Sequence, residues 1–182
     1  MLEGKNVNLR VAEREDVDYL VGCVNEMPWG EYVGISEQIT KSQQMKYFDN
    51  PSNYTILTES KWFIVQKKDA TKIGLMNHRL VLPSRCIELS LGLTPKEQGR
   101  GYGTEATQLM VDYLFMSKDI ARIQATIHVK NVASERVVEK VGFKREGLLR
   151  KMAFLRGEWI DFYLYSILRE EWKEPKILTK TA

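Results

Sequence analysis

The run Ile87-Glu88-Leu89-Ser90-Leu91-Gly92-Leu93, followed by Gln98-Gly99-Arg100-Gly101-Tyr102-Gly103-Thr104, decides the fold. In its first part, apolar residues at 87, 89, 91 and 93 alternate with Glu88, Ser90 and Gly92, the period of a half-buried strand. Beyond the glycines the period changes. Ala106, Leu109, Met110, Tyr113 and Leu114 recur at three- and four-residue steps, which makes one apolar face of a helix from Gly103 to Ser117. A strand, a glycine loop and a helix start therefore meet at Gln98 to Thr104. Alternating glycines let the backbone turn several N–H groups one way and come close to a ligand, and the first turn of a helix adds unpaired donors and a positive dipole end. Such a nest wants an anion, and Arg100 strengthens the attraction.

Two familiar anion loops do not fit. Gly101, Gly103 and Ala106 match G-x-G-x-x-A, but in a dinucleotide fold the first glycine follows its strand directly and an acid closes the next strand. Here Thr94 to Gln98 intervene, and the next strand ends in His128-Val129-Lys130. A nucleotide-triphosphate loop needs Gly-Lys-Ser/Thr, which is absent.

Working outward, Trp62 to Gln66 and Ile73 to Leu82 read as a hairpin around the polar turn Lys67 to Lys72, in which Lys67, Lys68 and Lys72 are expected to be solvated. With Ile87 to Leu93 they make three antiparallel strands. Upstream, a strand at Asn6 to Val11 precedes a helix opened by Glu13 to Asp16 and ending near Cys23, and a second helix is expected at Gln38 to Phe48. Downstream, Ile123 to Val129 alternates as a strand, and the strand, helix, strand order argues for a parallel pair. Ser134 to Val141 reads as a helix stopped by Gly142, and Phe143 to Leu155 with Trp159 to Leu168 as a closing hairpin. Residues 1–172 are read as one domain, and 173–182 as a polar, frayed tail.

Composition narrows the classes. With 43% apolar and 28% charged residues the chain falls among globular proteins, not fibrous or disordered ones. A net charge of +3, with no aromatic residues interleaved in a basic run, disfavours DNA or other nucleic acid as partner. No apolar run is long enough for a membrane helix and the start MLEGKNVNLR has no leader pattern, so a cytoplasmic, membrane-free protein is expected. Cys23 and Cys86 lie far apart and only His78 and His128 accompany them, so neither a disulfide framework nor a metal site is indicated.

Gln98-Gly99-Arg100-Gly101-Tyr102-Gly103 with Thr104-Glu105-Ala106 resembles the Q/R-x-x-G-x-G/A signature of the GNAT N-acetyltransferases. Asn131-Val132-Ala133-Ser134-Glu135-Arg136-Val137-Val138-Glu139-Lys140-Val141-Gly142-Phe143 resembles the N-x-x-S-x-R-V-x-E-K-x-G-F element of the RimJ/RimL branch of that superfamily. Gly157 to Asp161, Tyr165-Ser166 and Glu171-Trp172 are similar to its closing hairpin, and Leu9-Arg10 with Glu13 to Asp16 to its opening strand and helix. The resemblance implies a mixed α/β fold with about four helices and a mostly antiparallel central sheet, splayed between Glu88 to Leu93 and Ile123 to Val129. Acetyl-coenzyme A would enter that gap, held by Gln98, Gly99, Arg100, Gly101, Tyr102, Gly103 and Thr104, by Asn131 and Arg136, and by backbone pairing around Leu91 and Leu93. The implied partner is an amine acceptor, a protein N-terminus or a small molecule such as a polyamine, and the chain is expected as monomer or homodimer.

The sequence departs from the superfamily where a tyrosine often serves as acid toward the leaving thiolate: that position is Val138. The resemblance offers Ser134, one turn earlier, as replacement; serine at a helix start is equally a cap. Glu88 is the preferred base, since a carboxylate alternating out of an apolar strand near the nest can act through water, although it also reads as a sheet-edge charge. Asp161 is the other carboxylate considered, with backbone amides as its alternative role. Trp29, Tyr32 and Trp159 are candidates for lining the acceptor groove, as is His78 on its strand; each also reads as an ordinary core or surface residue. A non-catalytic acyl-coenzyme A-binding module is the competing class, with Val138 as its hint. Lysine ionises near 10.4 and an α-amine near 7.7–8.0, so at about 1.4 kcal/mol per unit an α-amine needs far less help from so sparse an acid-base set.

Overall fold

The computed structural model describes residues 1–26, 38–49, 60–81, 85–155 and 157–178. Leu2–Glu3 (β1) and Val7–Val11 (β2) lead through a 3-10 turn at Arg14–Asp16 into Val17–Glu26 (α1), with Lys41–Asp49 (α2) following. Ser60–Lys67 (β3), Lys72–Val81 (β4) and Cys86–Leu93 (β5) are the three expected antiparallel strands. Tyr102–Ser117 (α3), Arg122–His128 (β6), Val132–Val141 (α4), Lys144–Leu155 (β7) and Glu158–Leu168 (β8) complete the order, giving four α-helices among the described residues.

The strands form one sheet in the order β1-β2-β3-β4-β5-β6-β8-β7. Every neighbouring pair is antiparallel except β5 and β6, as the strand, helix, strand order predicts. The two-residue strand β1 gives no sequence signal of its own and exists by pairing Leu2 with Leu9.

Strand alternation sorts side chains onto two faces. Ile87, Leu89, Ile123, Ala125 and Ile127 turn to the face covered by α3 and α4, where they join Ala106, Leu109, Met110, Leu114, Val138 and Val141 in the larger core cluster. Over β2 to β4 the opposite face packs Ile64 and Leu75 against Leu20 and Cys23 of α1. This half is also fastened by a buried ionic knot: Asp16 takes Arg10 at 2.8 Å and Lys72 at 2.7 Å, as well as the Glu13 N–H. Burial works to raise the Asp16 carboxyl, but these hydrogen bonds, that of Arg10 foremost, prevail and hold it well below the usual carboxylate range.

Two expectations are corrected. The turn lysines are partnered instead of merely solvated: Lys67 reaches Glu97 at 2.8 Å, Lys68 reaches Asn8 at 2.7 Å, and Lys72 holds Asp16. The tail is not frayed through Leu178. Buried Asp112 of α3 accepts the Trp172 indole N–H at 3.0 Å and the backbone N–H groups of Lys176 and Ile177 at 2.9 Å each, and Ile177 and Leu178 pack on the core. No helix among the described residues is long and apolar enough to cross a membrane.

Candidate active site

The parallel ladder between β5 and β6 ends early. Cys86 pairs with Arg122, Ile87 with Ile123 and Glu88 with Gln124, and there the register stops. Both strands continue: β5 stays paired to β4 as far as Gly74 with Leu93, and β6 stays paired to β8 as far as His128 with Phe162. The sheet therefore forks after Glu88, leaving the inner edges of residues 89–93 and 125–128 facing a gap, at the position expected for the splay.

The glycine loop stands at the far end of β5 and opens α3. Gly99 has φ 74° and Gly101, the residue preceding the helix, has φ 84°, backbone that side chains with a Cβ rarely adopt. A Cβ at either would meet nothing within 4 Å, so it is the backbone conformation, not crowding, that calls for glycine there. No side chain caps α3, which leaves its first-turn N–H groups without a side-chain acceptor. Gly103 differs: a Cβ would lie 3.5 Å from both Leu91 and Val137, so at this point the first turn of α3, β5 and α4 converge.

Several side chains fix this loop. The Gln98 amide donates to the Leu93 carbonyl at 3.0 Å, folding the loop onto the end of β5. Arg100 lies 3.6 Å from Glu97, which also takes Lys67. Half-buried Tyr102 packs on the core and Thr104 is half-buried in the first turn. Glu105 accepts the Asn6 N–H at 2.7 Å, the Asn6 amide at 2.8 Å and the Val7 N–H at 3.2 Å, which anchors α3 to β2. Burial would raise its carboxyl, but these donors outweigh burial and hold it below its ordinary value.

At the fork, Glu88 is held from both sides. Its cross-strand partner Arg79 donates to Oε2 at 2.6 Å, and Thr126 of β6 donates its hydroxyl to Oε1 at 2.9 Å, across the opening where backbone pairing has stopped. These residues share the face opposite α3. His128, two residues beyond Thr126, is on that face too; it is buried against Phe162, and its Nδ1 accepts the Lys130 N–H at 2.9 Å. Burial first, then the Lys130 charge, push its imidazole below the ordinary value, so it is neutral at pH 7. The sequence pattern gave His128 no role, because the pairing of β5 with β6 that brings Glu88 against Thr126, and so puts this face of β6 at the fork, is not visible there.

On α4, Asn131 is the cap: its Oδ1 accepts the Ser134 N–H at 3.1 Å. Ser134 stands three residues inside the cap, half-buried, which removes the reading of Ser134 as the cap itself. It lies one turn before Val137, whose methyl borders Gly103, so Ser134 is on the side of α4 turned to the nest. Val138 is buried in the core and Arg136 is exposed. Tyr165 of β8 donates toward Glu135 at 2.8 Å and Glu139 at 3.2 Å, tying α4 to the sheet, and burial together with these acids raises its phenol.

The remaining candidates separate. His78, expected to reach the acceptor groove, is instead 1% exposed on the α3 side of the sheet, with its ring 5.7 Å from Phe63, while Glu88 and Thr126 share the opposite face. Trp159 is 60% exposed near the hairpin tip, its ring tilted at 58° against Phe154 with centroids 5.3 Å apart. Asp161 accepts the Lys151 N–H at 2.7 Å, where Lys151 has φ 51°, and so holds a bulge in the closing hairpin. Trp29 and Tyr32 lie outside the described residues. Among the described residues no group of three or more His, Cys, Asp or Glu is placed to hold a metal ion.

Residues 6–144 match the family model described as the acetyltransferase (GNAT) domain. The chain is 30% identical over 162 residues to the uncharacterized N-acetyltransferase YnaD of Bacillus subtilis, covering 82% of this chain and 94% of that one. It is 28% identical to the putative ribosomal N-acetyltransferase YdaF of the same organism, covering 94% and 96%. Among solved structures, spermidine N-acetyltransferase from Vibrio cholerae, in complex with CoA and spermine, superposes with a TM-score of 0.79 at 22% identity, covering 91% of this chain and 97% of that one. A forked sheet, a glycine nest at the end of its inner strand and a family match across most of the chain agree: this protein belongs to the GNAT acetyltransferase family and is an N-acetyltransferase that uses acetyl-coenzyme A.

Proposed function

We propose that the acceptor is a protein N-terminal α-amine, acetylated by direct attack on the thioester. One observation carries the reading: the carboxylate at the fork, Glu88, already shares its two oxygens with Arg79 and Thr126. A carboxylate with both oxygens already accepting hydrogen bonds has part of its acceptor capacity taken up. Bringing a lysine amine from about 10.4 to neutrality costs roughly 4.6 kcal/mol, against about 1 kcal/mol for an α-amine, and a carboxylate already engaged at both oxygens suits the smaller task.

In this reading Gly99, Gly101, Gly103 and the first turn of α3 hold the pyrophosphate of acetyl-coenzyme A, with Arg100 alongside, and the pantetheine arm follows the open edge of β5 past Leu93 and Leu91. The amine arrives from the face of Glu88, attacks the acetyl carbonyl, and passes its surplus proton to Glu88 through water. A backbone N–H near Leu91 steadies the oxyanion. Ser134 donates to the departing thiolate, helped by the positive end of α4. Similarity to the putative ribosomal N-acetyltransferase YdaF supports a protein acceptor, while the Vibrio cholerae spermidine N-acetyltransferase suggests the rival, a polyamine.

The test compares thiol release with three acceptors between pH 6 and 9: a peptide with a free N-terminus, its N-terminally blocked counterpart with an internal lysine, and spermidine. The free N-terminus is expected to give the highest kcat/KM near neutrality. Preference for the blocked peptide or for spermidine overturns the α-amine reading.

A further inference from the structure

Resting on the α-amine reading, we infer that Arg79 sets the charge of the acceptor that the site admits, by standing as a fixed cation where a polycationic amine would have to settle. Arg79 and Glu88 are register partners on β4 and β5, and their contact at 2.6 Å joins a guanidinium that is 62% exposed to a carboxylate that is only 12% exposed. The cation thus sits on the solvent side of the acid. Thr126 occupies the other carboxylate oxygen from across the fork, so Glu88 offers no second, unshared oxygen to an incoming ammonium group.

The consequence depends on acceptor charge. A peptide α-amine reacts in its neutral form and brings no further positive charge of necessity to the fork. A polyamine presents one neutral nitrogen but keeps one or two ammonium groups a few ångströms away, beside a guanidinium that they cannot neutralise. Like charges at that range, partly exposed to water, change affinity by about tenfold, and repulsion is as effective a discriminator as attraction. Arg79 is therefore a specificity-determining residue: it holds Glu88 in place for the α-amine and denies it to polycations as an anchor.

The experiment measures kcat/KM for spermidine and for a free N-terminal peptide at saturating acetyl-coenzyme A in wild type, Arg79→Ala, Arg79→Gln and Arg79→Lys. The glutamine variant keeps the aliphatic stem and a donor, and serves if the alanine variant folds poorly. The spermidine-to-peptide ratio is expected to rise about tenfold in the neutral variants, mainly through KM for spermidine, and to stay within about twofold of wild type in Arg79→Lys. A ratio that does not move in the neutral variants, or a parallel loss for both acceptors, means that Arg79 only braces Glu88 and overturns the inference. Wild type preferring spermidine overturns the α-amine reading instead, while the change in ratio on removing the Arg79 charge still judges the inference by itself.

Discussion

Two helices begin beside the fork, and their first turns are finished in opposite ways. α4 is closed by its own chain: Asn131 caps it with a side-chain oxygen, and the helix ends at Gly142 in the left-handed region, with the Phe143 N–H returning to the Val138 carbonyl at 3.0 Å. α3 is opened by Gly101 at φ 84°, with no side-chain cap, although it is the more deeply buried helix. A helix start left uncapped at its tip, yet pinned one turn further by Glu105 to Asn6 and Val7, keeps donors available and held in place. The α4 start is thus closed by a side chain of its own chain, and the α3 start keeps its donors open for the anion proposed above.

The substitution that should break this contrast most severely is Gly101→Val. A β-branched residue is strained at that φ, and relieving the strain rotates the N–H groups of the nest away from one another. Loss of about two charge-assisted hydrogen bonds predicts a rise in coenzyme A Kd on the order of a hundredfold. Calorimetric titration checks it in a variant whose circular dichroism matches wild type. Unchanged affinity would remove the nest from the binding site.

Within α4, Ser134→Ala and Asn131→Ala should divide chemistry from fold. If the Ser134 hydroxyl meets the leaving thiolate, its loss lowers kcat by roughly tenfold or more at saturating substrates, with little change in thermal midpoint. Asn131→Ala removes the cap and should cost about 1 kcal/mol of stability, a fall of a few degrees in Tm for a chain of this size. Full turnover in the serine variant returns Ser134 to a bystander. An asparagine variant with unaltered Tm would deny the cap its role.

What the sequence made legible follows the same division between local and distant. Alternation at Ile87 to Leu93, the glycines and the helical period after them are local signals, and they placed β5, the glycine loop and the start of α3, whereas the fork was expected from the family resemblance. Contacts whose partners lie far apart in sequence were not visible: Glu105 with Asn6, Asp112 with the segment 172–178, and Thr126 with Glu88 depend on tertiary register. His78 misled for a physical reason. β4 is covered on both faces, its burial unbroken from Ile73 to His78, so alternation there no longer tells a groove from a core. Ser134 stayed open between cap and thiolate acid because Asn131 and Ser134 are both good caps; the Asn-x-x-Ser spacing, which lets the first accept the N–H of the second, was the signal that could have decided the cap.

The smallest effect separates the glycines of the nest from one another. Gly103 is already helical, and a Cβ there would stand 3.5 Å from Leu91 and Val137, an ordinary contact that requires no neighbour to move. Alanine is favoured over glycine in helices by up to about 1 kcal/mol, less in a first turn, so Gly103→Ala should leave Tm unchanged or slightly raised. The added methyl nevertheless enters the corner where α3, β5 and α4 converge on the gap. If acetyl-coenzyme A threads that corner, its affinity should fall by about threefold, while the fold gains or holds. Gly101→Val and Gly103→Ala then differ in kind: the first disorders the donors, the second only crowds the ligand. A Gly103→Ala protein that is more stable and binds coenzyme A as before would show that the third glycine is not needed for backbone approach, and would narrow the nest to Gly99 and Gly101.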